Sequence, residues 1–129
     1  MTHTANDQDQ VDIQVATQYL ADESAPGEDR YAFAYTITIT NSGREAVRLL
    51  NRHWIITNGR NRISEVRGEG VVGKQPLIEP GKSFSYTSGT IIETAVGTME
   101  GSYEMISESG RPFIAPVSAF SLVEPSSLH

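Results

Sequence analysis

From Val11 onward the chain alternates: Val11, Ile13, Val15, Thr17 and Tyr19 fall on odd positions, with Asp12, Gln14 and Gln18 between them. A period of two is what a strand with one buried face requires, and it predicts a first strand to about Leu20. Tyr31, Phe33, Tyr35, Ile37 and Ile39 repeat the pattern against Ala32, Ala34, Thr36, Thr38 and Thr40, all residues favoured on a pleated surface. The turn residues Asn41, Ser42 and Gly43 close this second strand. A third runs through Val47, Leu49, Leu50, Trp54 and Ile56, where the adjacent Leu49 and Leu50, and Arg48 on the parity of Trp54, predict a β-bulge. Asn58-Gly59 is a hairpin signal that leads into a fourth strand from Asn61 to about Arg67. Pro80-Gly81 fits the central positions of a type II turn. Three more strands follow, around Phe84 to Ser88, Met99 to Met105 and Phe113 to Leu122, the last lying on a sheet edge if it accommodates Pro116.

Apolar residues nowhere recur at helical spacing over more than one turn, so the pattern predicts an all-β fold. Seven or eight short strands punctuated by turns define an antiparallel β-sandwich of the fibronectin type III or immunoglobulin kind. Residues 1–10, almost without apolar side chains, read as a mobile tail. The domain spans 11–123, and 124–129 is a second tail. The acidic stretch from Ala21 to Arg30, containing Pro26 and Gly27, reads as a solvated loop. Most of the aromatic residues fall on inward positions and belong to the core, with Tyr103 marked for a hydrogen bond across a sheet corner.

Composition narrows the chemistry. A chain of 129 residues with no cysteine has no disulfide framework, thiolate metal site or thiol nucleophile. The formal net charge of -6 disfavours non-specific nucleic-acid binding. The absence of a long apolar run excludes membrane insertion by a helix and points to a cytoplasmic protein. His3, His53 and His129 show no metal-ligand spacing, and no GxSxG elbow or SxxK pair marks a hydrolase. His53 reads as a structural side chain, and no cofactor is implied.

Charge is nevertheless uneven. Between Arg44 and Lys74 lie seven of the ten basic residues and only three of the sixteen acids. This basic hairpin ends in Gly68-Glu69-Gly70-Val71-Val72-Gly73, a literal GxGxxG. A dinucleotide fold needs a helix directly after such glycines, and Pro76 and Pro80 forbid one. Two readings remain: a turn that needs positive φ at its glycines, or an anion nest of backbone amides flanked by basic side chains. Arg48, Arg52, Arg67, Gly68, Gly70, Gly73 and Lys74 are therefore the candidate residues for binding a phosphate-containing small molecule or a protein partner, set against ordinary surface arginines that bridge acids across strands.

The segments RHWIIT (Arg52 to Thr57), EVRGEGVVGKQPLIEPGKSFSYTSG (Glu65 to Gly89) and GTMEGSYEM (Gly97 to Met105) resemble the ApaG family of small bacterial proteins. The resemblance implies one fibronectin type III-like sandwich, used in related eukaryotic proteins for protein recognition. It also implies an association with cobalt resistance and magnesium efflux, in which a domain of this kind has an accessory role, and supplies no catalytic residues. The resulting expectation is a non-enzymatic module that recognises another protein, with a pyrophosphate or nucleotide sensor as the alternative. Open sandwich edges also permit a homodimer.

Overall fold

The computed structural model describes residues 10–127, so all of the expected tail at 1–10 except Gln10, together with His3 and His129, lies outside the described residues; the Gln10 carbonyl accepts from the amides of Ser42 and Gly43. Eight strands follow in order: β1 (Val11–Tyr19), β2 (Tyr31–Asn41), β3 (Val47–Asn58), β4 (Ile63–Glu69), β5 (Leu77–Ile78), β6 (Ser83–Ile92), β7 (Val96–Ser107) and β8 (Pro112–Val123). All pairings are antiparallel. One sheet has the order β1-β2-β6; the other runs β4-β3-β7-β8, with the short β5 pairing the start of β3 beside β4. β8 is an edge strand, which is how Pro116 is tolerated.

The inward rows of the two sheets meet in one core that includes Phe33, Ile37, Leu49, Trp54, Met99, Tyr103 and Leu122. Trp54 is its hub, stacked edge-on to Tyr35, Tyr103 and Phe120, the offset arrangement that ring quadrupoles favour. Gly101 faces Trp54 across the β3–β7 pairing. A Cβ there would stand 2.0 Å from the His53 carbonyl and 2.8 Å from the indole, so only glycine fits beneath the tryptophan.

The expected bulge is present. Register between β3 and β7 shifts from Leu49 to Asn51, which keeps Val47, Leu49, Trp54 and Ile56 inside although their spacing is irregular. The Glu79–Lys82 turn also forms, with Lys82 N–H donating to the Glu79 carbonyl at 3.0 Å and Gly81 at φ +79°.

Three local expectations need correction. Strand β4 begins at Ile63 rather than Asn61, because the β3–β4 connection is longer than an Asn-Gly turn. The Asn58 side chain accepts from the amides of Arg60 and Arg62, and the left-handed residue is Asn61 at φ 62°. Gly59 instead lies against Thr94 and Val96. Second, the 21–30 stretch is not shapeless: 3-10 turns at Ala21–Glu23 and Pro26–Glu28 are tied down by Ser24, whose hydroxyl donates to the Leu20 carbonyl and accepts from the Ala32 amide. Third, the Tyr103 hydroxyl hydrogen-bonds to that of Tyr86, joining the two sheets within the core rather than at a corner.

Candidate functional site

The bulge places Leu50 and Asn51 at the edge of two hollows on the outward face of the five-stranded sheet. Cross-strand register sets His53 beside Arg67 on one side and Ser102 on the other, and sets Asn51 beside Glu104. These side chains, with Gly68 and Ile114, line a cleft of about 420 Å³. A second hollow of about 260 Å³ adjoins it, sharing Asn51, Glu104 and Ile114 and continuing over Leu50, Pro112 and Phe113. The combined depression thus has a charged end and an apolar end.

Hydrogen bonds hold the charged end in place. Glu65 is the hub: His53 Nε2 lies 2.5 Å from its Oε2 and Arg67 Nη2 3.1 Å from the same atom. The bond from His53, helped by the nearby Arg67 guanidinium, holds the Glu65 carboxyl below the usual carboxylate range. Asn51 Nδ2 donates to Glu104 at 2.8 Å, which fixes the boundary between the two hollows. Arg52 follows a different path. It lies across Gly68, where a Cβ would collide with the guanidinium at 2.6 Å, and its Nη1 donates to the carbonyls of Glu69 and Gly70.

Of the seven candidate residues, then, Arg52, Arg67 and Gly68 meet at this cleft, and the rest do not. Arg48 donates to the Gln75 carbonyl at 2.7 Å and borders a separate shallow hollow beside Leu77 and Ile106. Gly70, Gly73 and Lys74 belong to a tight turn. The amides of Val71 and Lys74 each donate to the other's carbonyl, and the Gly70 amide donates to Leu50. These three N–H groups are internal to the fold, so the turn reading of the GxGxxG stretch accounts for them and the anion nest loses them. Val71 is buried and anchors the turn in the core. At the tip, Val72 (φ 43°) and Gly73 (φ 80°) are both left-handed, as a two-residue hairpin of the primed type requires.

Sequence reading passed over Asn51, Ser102, Glu104, Leu50 and Ile114. Only Leu50 carried a local signal, the broken alternation beside Leu49; the others join the cleft through strand register. Among the described residues, no group of three or more His, Asp or Glu side chains is placed to hold a metal ion, and no helix is long and apolar enough to cross a membrane.

Two facing antiparallel sheets with this order define a small fibronectin type III-like sandwich, with a polar-to-apolar depression on one outer face. The sequence profile of the ApaG domain matches residues 21–107. Protein ApaG of Pseudomonas entomophila is 54% identical over 120 residues, covering 93% of this chain and 95% of that protein. Its counterpart in Pseudomonas fluorescens is 55% identical over the same share of each. A crystal structure of the putative ApaA protein from Bordetella pertussis superimposes with a TM-score of 0.87 at 46% identity, covering 89% of this chain and 94% of that one. The chain belongs to the ApaG family.

Proposed function

We propose that this domain is a non-enzymatic protein-recognition module that docks its partner on the outward face of the five-stranded sheet. One observation carries the reading: the charged cleft at Arg67 and the apolar hollow at Leu50 and Ile114 are continuous through Asn51 and Glu104. An apolar contact that supplies affinity beside a fixed charge that supplies orientation is how recognition surfaces combine the two. The partner segment that fits presents an acidic side chain to Arg67 next to an apolar one over Ile114. His53 Nε2 is engaged by Glu65 rather than by a serine hydroxyl, which supports a binding role over nucleophilic chemistry. The accessory part in cobalt or magnesium efflux implied by the family would be exercised through such a partner.

The test is affinity capture from the native cell with wild type, Arg67→Glu, Ile114→Asp, and Gln14→Asp on the opposite sheet. A partner lost with the first two variants and kept with the third is the expected result. A partner recovered equally with all of them overturns the assignment of this face. Saturable calorimetric heat with pyrophosphate, ATP or dinucleoside polyphosphates at low salt would restore the anion-sensor alternative.

A further inference from the structure

β4 is an open edge. It pairs only with β3, and six of its seven residues are exposed, Ile63 at 69% and Val66 at 38%. Two hydrogen bonds fix which way its backbone points: Asn58 N–H donates to the Arg62 carbonyl at 3.0 Å, and Gly70 N–H to the Leu50 carbonyl at 2.8 Å. Antiparallel ladders alternate residue by residue. Even-numbered residues from Arg62 to Gly70 therefore turn their backbone groups toward β3, and Ile63, Glu65, Arg67 and Glu69 turn theirs outward. Arg52, passing over Gly68, occupies the Glu69 carbonyl. The N–H and C=O groups of Ile63, Glu65 and Arg67 are left facing away from the sheet, the arrangement that templates another strand.

Side-chain charge selects that strand. We propose that β4 pairs antiparallel with β4 of a second copy of this chain, about a two-fold axis at Val66, making one continuous sheet through both protomers. In this register Glu65 lies opposite Arg67 of the second copy, Arg67 opposite its Glu65, and Val66 opposite its Val66. The outward backbone groups of Glu65 and Arg67 then bond reciprocally. An axis at Glu65 sets glutamate against glutamate, and one at Arg67 sets arginine against arginine, both unfavourable when directly opposed. An axis at Gly68 pairs Arg67 with Glu69, but β4 ends there and Arg52 already holds that carbonyl. On the other face the Val66 pair adds apolar surface to a mixed hollow of about 280 Å³ between β4 and β6, where Ile56, Val66, Ile91 and Ile92 lie beside the Arg62–Glu93 ion pair. The contact is isologous, as closed dimers require. It shares Arg67 with the proposed docking cleft but rests on the backbone edge of β4, so backbone exchange at Glu65 and Arg67 reports on it alone.

Sedimentation velocity over rising concentration, on wild type, Glu65→Arg, Arg67→Glu and the double swap, tests this directly. Wild type should show a reversible monomer–dimer equilibrium. Each single swap puts two like-charge pairs across the axis and should weaken it about tenfold; the double swap restores opposite charges and should return within about threefold of wild type. Amide hydrogen exchange on wild type adds a readout free of mutation: protection at Glu65 and Arg67 should rise with concentration while Val66, bonded within the sheet, stays constant. A wild-type chain monomeric at millimolar concentration overturns the proposal. So does a dimer that leaves exchange at Glu65 and Arg67 unchanged, or one that the double swap fails to rescue.

Discussion

The hydroxyls of Tyr86 and Tyr103 are each other's partner inside the sandwich, so removing both should cost less than the two single removals added together. Tyr103 is 0% exposed and Tyr86 7%. Tyr86→Phe therefore strands a fully buried hydroxyl and should destabilise by about 2 kcal/mol, within the range for an unsatisfied buried polar group. Tyr103→Phe leaves the hydroxyl of the less completely buried Tyr86 without its partner, and should cost about 1 kcal/mol. With both replaced, the sheets meet through two apolar rings of nearly unchanged shape, and the loss should be about 1 kcal/mol rather than the sum of roughly 3. The coupling is thus about 2 kcal/mol, or some 8 °C of melting temperature for a domain of this size. Urea unfolding followed by the single tryptophan, Trp54, at unchanged m-value, reads each corner of the cycle. Single costs that add to within about 0.5 kcal/mol would refute the claim that the two hydroxyls satisfy one another.

Burial pushes the Tyr86 phenol up to about 12 and moves Tyr103 in the same direction, with Tyr86 adding to the effect. A raised acid pKa favours the neutral folded form, so this contribution, about 3 kcal/mol for Tyr86, is complete below pH ~10 and is lost as pH rises toward 12. Tyrosinate absorbance and Trp54 fluorescence should change together in alkali, and ionisation of every tyrosine with the fold intact would contradict the buried pair. At the hairpin tip, Val72 holds φ 43° while 53% exposed, a conformation a β-branched residue resists. Val72→Asn, with the turn preference and few contacts to lose, should raise stability by about 0.5–1 kcal/mol in a thermal melt; a lower melting temperature would show that Val72 contributes packing instead.

Strand positions were legible because the pleat repeats every two residues and the core accepts only one face; β2 could be read almost residue by residue. The bulge was legible for the same reason, since Leu49 and Leu50 side by side cannot both face inward without an inserted residue. Pro80-Gly81 declared its own turn through the φ values those residues prefer. Asn58-Gly59 marked the β3–β4 hairpin but not the length of its turn, because a turn is also shaped by what it touches: Thr94 and Val96 hold Gly59 close, and the left-handed residue falls at Asn61. β5, two residues between prolines, is too short to show a period and exists only because β3 offers it an edge.

The basic hairpin was visible as a count of charges, yet a count carries no directions. The sequence determined that arginines cluster between β3 and the glycine turn; register and the bulge decided that Arg67 enters a cleft with His53 and Ser102, that Arg52 caps carbonyls across Gly68, and that Arg48 lies elsewhere. Local periodicity is written by neighbours along the chain, whereas a site assembled from β3, β4, β7 and β8 depends on which residues pair across strands. Those pairings are set by how the inward rows of both sheets fill one core, a property of the folded chain as a whole.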